Sequence, residues 1–284
     1  LAWHADLYDL RKIEEVRKSS IDSFLEERKN INPDECVDYI KKRGIDFIHP
    51  EDDRYPYLLR HINNPPTGIF MLGDITLCNL ERTLAVVGSR RASDNAKKTL
   101  KSILEGFVNT DICIVSGMAE GIDTVAHRTA LDNNIKTIAV IGGGFDKLYP
   151  SSNIGMFNEI INGGGAVLTE YWSDVDAISW HFPVRNRIVS GLSKGVLIAK
   201  KSGAMITAKL ALEQGKELMC MPGLISNPNT EGIYSLLKNG ATMITSTQDI
   251  MEALNWEIIN KNKKKQSKTD NNLSEEEQLI TDFL

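Results

Sequence analysis

From Thr83 onward the chain alternates short, almost wholly apolar runs with amphipathic stretches, and this alternation constrains the fold more than any other feature. LAVVGSR (84–90), ICIVSG (112–117), KTIAVIGGG (136–144), AVLTE (166–170), GVLIA (195–199), ELMCMPG (217–223) and ATMI (241–244) are rich in Val, Ile and Leu, and several end in glycine. Strands that read as continuous hydrophobic runs are buried on both faces, which is the condition of parallel sheets covered by their own crossover helices. Helical patterns fill the gaps: from near Ser93-Asp94 to about Val108, from about Gly121 through IDTVAHRTALD, and over roughly 153–162, 206–214, 232–239 and 247–254. The pattern predicts an α/β domain, doubly wound around a mostly parallel sheet.

The flanks have a different texture. Residues 1–44 carry apolar residues at helical intervals in DLYDLRKIEEV and IDSFLEE, and again after the helix-start signal Asn32-Pro33. They read as a small helical module. Between Ile45 and Asp74 a strand-like run stands at each end, with a Tyr-Pro and a Pro-Pro between, so this segment is extended structure pinned to the main body. Past Trp256 the stretch NKNKKKQSKTDNN has no apolar residue and reads as a linker. LSEEEQLITDFL then opens a capped helix, with Ser274 and Glu277 as a capping box. The expected organisation is a helical domain over 1–44, the α/β domain over 45–256, a linker over 257–272, and from 273 to 284 the first helix of a further small domain.

The chain has 284 residues, 42% hydrophobic and 25% charged, with a formal net charge of −5. An acidic protein does not coat nucleic acid with its whole surface, so any such binding is confined to a patch. Cys36, Cys78, Cys113 and Cys220 are scattered without a CxxC or Cys/His pairing, which predicts reduced thiols, a cytosolic setting and no structural zinc. No apolar run approaches the roughly 20 residues of a membrane span.

One basic knot breaks the acidic background. FPVRNRIVSG (182–191) is followed by Lys194, Lys200, Lys201, Lys209 and Lys216, with Glu213 the only acid between Ser179 and Lys216. Either it is a solvated surface turn, or it attracts an anion: a nucleotide, a nucleic-acid backbone or an acidic protein surface. In open parallel sheets, ligands bind beyond the carboxyl ends of the strands. Gly88-Ser89, Ser116-Gly117, Gly142-Gly143-Gly144 and Pro222-Gly223 stand at such ends, where backbone N–H groups can approach a bound group. Together with Arg90, Arg185 and Arg187 they predict a phosphate site, to which Lys200 and Lys201 add charge. Neither GxGxxG nor GxxxxGK[ST] is present, so no nicotinamide or P-loop cofactor is expected. Asp123 and His127 share a helix face and could do acid–base work. The blander reading, that Asp123 caps backbone groups and His127 packs under the sheet, is preferred.

VVGSR (86–90), SGMAEGIDTVAH (116–127), GGGFDKLYP (142–150), TEY (169–171), FPVRNRIVSGLS (182–193), SGAMITAKLALEQG (202–215) and MPG (221–223) stand in the order and spacing of the DNA-processing protein A family, DprA or Smf, which the chain resembles over roughly 45–254. The resemblance implies an extended Rossmann domain that forms a homodimer, preceded by a small helical, SAM-like domain and followed by a linker and a winged-helix-like domain. It implies a bacterial cytoplasmic protein, without catalytic activity or cofactor, that binds single-stranded DNA, protects it during natural transformation and helps load the RecA recombinase. Carried over residue by residue, the DNA pocket would involve Gly88, Ser89, Arg90, Ser116, Gly117, Gly121, Phe182, Arg185, Asn186, Arg187, Ser202, Gly203 and Thr207. The chain departs from the family in having Ser151 where many members have a basic residue, and in a short segment between Ala199 and Ser202. The rival is a nucleotide-hydrolysing enzyme of a related extended-Rossmann family. Such families carry a PGGxGT stretch, whereas here Pro222-Gly223 is followed by Leu224.

Overall fold

The computed structural model describes residues 2–14, 16–199, 204–223 and 230–257. Two compact units result, Leu1–Asp46 and a second from Phe47 onward. The first holds helices α1 (Leu7–Arg11), α2 (Lys18–Arg28) and α3 (Pro33–Lys42). Asn32 caps α3 by accepting from the Asp34 N–H, with Pro33 in the first turn, where its missing N–H costs nothing. Within this unit Arg28 donates to the carbonyls of Trp3 and Ala5, and the Trp3 and Phe24 rings meet edge to face.

The second unit is built on one sheet whose strands are β1 (Asp46–Ile48), β2 (Ile69–Gly73), β3 (Thr83–Val87), β4 (Cys113–Ser116), β5 (Lys136–Val140), β6 (Ala166–Thr169), β7 (Gly195–Ile198), β8 (Glu217–Cys220) and β9 (Thr242–Met243). Their spatial order is β1-β2-β6-β5-β4-β3-β7-β8-β9. From β6 across to β9 every pairing is parallel, and β2 runs antiparallel to β6. Helices α4 (Tyr57–Arg60), α5 (Asp94–Glu105), α6 (Ile122–Asp132), α7 (Ile154–Asn162), α8 (His181–Gly191), α9 (Ala204–Glu213), α10 (Glu231–Lys238) and α11 (Thr247–Ala253) connect them.

The apolar runs are buried on both sides because alternate residues serve alternate cores. Ala85, Val87, Val115, Val196 and Ile198 pack with residues of α8, α9 and α10, whereas Leu84, Val86, Ile114 and Leu197 pack with α5, α6 and α11. The expected α/β class, doubly wound and mostly parallel, is what the chain adopts. All four cysteines are unpaired, and burial pushes the Cys78 and Cys220 thiols up to about 12.

The knot is the main local surprise. Residues 181–191 form α8, not a solvated turn, although a proline stands at its third position. Pro183 is tolerated there because the first-turn N–H groups have no intrahelical acceptor. Arg185, Arg187, Ile188, Val189, Ser190 and Gly191 are all buried, so the helix lacks the polar stripe by which a surface helix is recognised. The expected linker (257–272) and the capped helix from 273 fall outside the described residues, Glu257 apart.

Candidate nucleic-acid interface

The strand order fixes where a ligand can enter. From β3 the chain steps outward through β4, β5 and β6, then returns to the other side of β3 with β7, so the crevice opens at the carboxyl ends of β3, β4 and β7. A cleft of about 430 Å³ lies there, lined among others by Gly88, Ser89, Arg90, Arg91, Asp123, Phe182, Arg185, Asn186 and Thr207. The first turns of α6 and α8 contribute to its wall, and both present helix N-termini, which favour negative charge.

Two glycines make this approach possible. Gly121 has φ +83°, and a Cβ there would lie 2.3 Å from the Ser89 carbonyl oxygen, so only glycine lets the turn after β3 close on the start of α6. A Cβ on Gly117 would lie 2.6 Å from Arg185 Nη2 and 2.7 Å from Asp123 Oδ2. Its absence leaves room for the guanidinium. The Gly142-Gly143-Gly144 run is used differently from what its sequence suggests. Gly144 donates to the Val175 carbonyl, and a Cβ on it would lie 2.1 Å from the Trp172 carbonyl oxygen, so this run admits a neighbouring segment of the chain instead of a ligand.

Arg185 is the centre of the cleft floor. Although only 3% exposed, it forms no ion pair among the described residues. Its Nη1 donates to the carbonyls of Gly117 and Val140, just past the end of β4 and at the end of β5, and its Nε donates to Asn186 Oδ1 at 3.2 Å. Carbonyls at the ends of parallel strands have no further ladder partner, and the guanidinium satisfies them. Nη2 takes no part in these bonds and lies over Gly117, on the side of Asp123. Burial pushes the guanidinium down to about 10, with Asp123 acting in the opposite sense, so it stays charged at neutral pH. Arg90 stands at the exposed rim with its guanidinium carbon 4.8 Å from the centre of the Phe182 ring.

Asp123 sits beside Arg185 and accepts hydrogen bonds from backbone N–H groups, that of Ala119 at 3.4 Å among them. Burial pushes its carboxyl up to about 6, against the pull of Arg185. His127, one turn further along α6, is fully buried, with Nδ1 2.8 Å from Thr137 Oγ1. Burial and the Arg185 charge push it down to about 3, and it does not line the cleft. A neutral imidazole packed against β5 cannot relay a proton to a ligand in the cleft. This agrees with the packing reading of His127; Asp123 accepts from backbone N–H groups, as expected of a cap, and in addition lines the cleft.

The remaining expected residues divide. Gly88, Ser89, Phe182, Asn186 and Thr207 line the cleft, and Gly117 lines a crevice continuous with it. Thr207 Oγ1 is buried without a partner among the described residues. Ser116 is fully buried, and its hydroxyl donates to the Val86 carbonyl at 2.6 Å, bridging β4 to β3. Arg187 points away from the cleft: Nη1 and Nη2 grip both oxygens of Glu170 at 2.7 and 2.6 Å, and Nε donates to the Asn64 carbonyl. Such a two-pronged pair leaves this guanidinium little to offer a phosphate. Lys200, Lys201, Ser202 and Gly203 lie outside the described residues. Arg91 lines the cleft although the sequence reading passed over it; its place directly after Arg90 was the available signal.

Known proteins resemble the chain throughout this region. The family described as DNA recombination-mediator protein A matches residues 46–255. The DNA processing protein DprA of Streptococcus pneumoniae is 40% identical over 203 residues, 70% of this chain and 71% of that protein. Its counterpart in Bacillus subtilis is 36% identical over 217 residues, 75% and 73% of the two chains. Among solved structures, the X-ray structure of the S. pneumoniae protein aligns with a TM-score of 0.78 at 35% identity, over 88% of this chain and 87% of that one. The Helicobacter pylori DNA processing protein A, whose structure concerns its single-stranded DNA binding mode, aligns with a TM-score of 0.66 at 29% identity, over 74% and 95%. Since the family match runs from β1 through α11 and so takes in the whole sheet and its cleft, the chain belongs to the DNA recombination-mediator protein A family, DprA/Smf.

Proposed function

We propose that the chain binds single-stranded DNA in the cleft at the carboxyl ends of β3, β4 and β7. Arg90 and Arg185 contact phosphates, the backbone around Gly88, Ser89 and Gly117 adds N–H donors, and Phe182, Asn186 and Thr207 complete the wall. Arg187 acts as scaffold. On this reading the protein shields incoming DNA and helps load the RecA recombinase during natural transformation, as a cytoplasmic homodimer that catalyses no reaction itself. The observation that carries the proposal is Arg185: a buried guanidinium without an ion pair is costly, and is retained where an anion completes it. Its depth also favours single strands, because a flexible backbone can bend into a cleft that a stiff duplex only spans. The single-stranded DNA binding of the H. pylori relative supports the same reading.

The test is a titration of fluorescent single- and double-stranded oligonucleotides across a salt series. With about 3 to 5 phosphates neutralised, the log–log slope on single strands is expected at roughly −2 to −4, at ~0.7 per contact. Arg185→Lys keeps the charge but loses the planar fork, and should weaken binding by about 1–2 kcal/mol, about tenfold. Equal affinity for duplex, or a flat salt response, would sink the proposal.

A further inference from the structure

The cleft is not closed on the side of Phe182. A narrow crevice continues from it, sharing Arg90, Arg185 and Phe182 and adding Gly142, Tyr149 and Pro150. Beyond Tyr149 lies a second, open groove of about 440 Å³, lined by Phe145, Lys147, Ile154 and Ala177 among others. Tyr149 lines both, so it is the ridge between them. Its ring centre stands 5.7 Å from that of Phe182, tilted by 39°, while the side chain is 55% exposed. No hydrogen bond holds its hydroxyl among the described residues. Arg90, Phe182 and Tyr149 thus form a continuous row, a cation on one ring followed by a second, largely exposed ring that borders the next groove.

We propose that Tyr149 is a base-stacking residue: the strand whose phosphates lie on Arg90 and Arg185 crosses this ridge, and the base of a neighbouring nucleotide stacks on the exposed Tyr149 ring. The inference rests on the single-stranded DNA reading of the cleft and adds to it a contact with the base. Exposed tyrosines are common and by themselves mean little. This one differs in its place, at the junction of two grooves and braced by the ring that carries the phosphate-facing Arg90. The ring at 5.7 Å and 39° leaves no gap between Tyr149 and Phe182 for an intercalated base, so the stacked base takes the outer face. Every base has a π-face, so such a platform strengthens binding without reading sequence. The groove beyond has apolar walls in Phe145, Ile154 and Ala177, and its Lys147 is paired with Asp176 at 3.5 Å, so a base fits it better than a phosphate does.

The experiment compares the parent with Tyr149→Ala, Tyr149→Trp and Arg90→Ala on a single-stranded oligonucleotide and on a strand of the same length made wholly of abasic sites, each at several salt concentrations. Tyr149→Ala should weaken binding to the normal strand by about five- to thirtyfold, within the range of one lost base–aromatic stack, with an unchanged salt slope. Tyr149→Trp should restore it. On the abasic strand Tyr149→Ala and the parent should bind alike, since no base is there to lose. Arg90→Ala, in contrast, should flatten the salt slope by about 0.7 on both strands. If Tyr149→Ala binds the normal strand as well as the parent does, or loses as much on the abasic strand, the stacking assignment is overturned while the cleft reading stands. If the parent fails to bind either strand with a salt-dependent affinity, the cleft reading falls and takes the stacking assignment with it.

Discussion

The two ends of the sheet carry basic residues of opposite meaning. At the carboxyl end, Arg90 and Arg185 line a cleft with two helix N-termini, and no carboxylate pairs with either guanidinium among the described residues. At the amino end, Lys194 immediately precedes β7 and Lys216 immediately precedes β8. Lys216 Nζ donates to the Gly191 carbonyl, at the end of α8, and burial together with the neighbouring Lys194 charge pushes its ammonium down to about 8. A cation at a helix C-terminus answers the dipole and the last unpaired carbonyls. Lys209 is exposed and pairs with Glu213. Along the chain these charges form one run. In space a four-residue strand, about 13 Å, separates the two sets, which exceeds the screening length of about 8 Å at physiological salt. The single basic field expected from the sequence is therefore split between the cleft and a set of structural contacts.

The sharpest way to break that contrast is Arg187→Ala, two positions from Arg185 on the same helix. Glu170 would be left part-buried and unpaired, side chains of the pair being only 10% and 16% exposed, so unfolding free energy should drop by about 3–5 kcal/mol. Chemical denaturation measures this, and DNA affinity per folded molecule should hold within about twofold. A stable variant with lost affinity would place Arg187 among the DNA contacts and undo the distinction.

A smaller effect follows from Asp123. Above its raised pKa of about 6 the carboxyl puts a negative charge beside Arg185, and below it the group is neutral. Binding an anion favours the neutral form, so affinity for single strands should increase as pH falls from 7.5 to 5.5, by roughly three- to tenfold, tenfold being one pKa unit of coupling. His127, with its pKa near 3, stays neutral over this range and contributes nothing. Asp123→Asn should bind at pH 7.5 about as the parent does at 5.5, with the pH dependence gone. If the dependence persists in that variant, another group is titrating.

The smallest effect is expected at the amino end. Lys194→Ala and Lys216→Met should each change DNA affinity by less than about twofold at physiological salt, because their charges are screened from the cleft. Larger losses, shared evenly with Arg185→Lys, would mean that a diffuse field and not a cradle holds the strand.

The strand and helix order was legible because each strand needed apolar residues on both faces and each crossover helix on one. The approximate positions of Asp94–Glu105, Ile122–Asp132 and Thr247–Ala253 could be read from periodicity and caps, Ser93 and Ser246 each accepting from backbone N–H groups of the turn they open. α8 was not legible as a helix. It is surrounded by the sheet, α9 and the segment after β1, so burial on nearly all sides erased the period on which such a reading depends. The same burial separates Arg185 from Arg187, which look equivalent in FPVRNRIVSG.

What the sequence alone determined, then, is the class of fold, the strand ends rich in glycine, and the presence of arginines close to them in the chain. Hydrophobic pattern and glycine placement are local properties, and they survive without coordinates. Only the tertiary structure decided which charges share a site. The reversal of strand order at β3 brings residues 88–91, 117, 123, 149 and 182–186 to one end of the sheet and sends Lys194 and Lys216 to the other. Whether a guanidinium meets a strand-end carbonyl, as at Arg185, or a carboxylate, as at Arg187, depends on which neighbour lies across the packed interface, and residues far apart in the chain supply that neighbour.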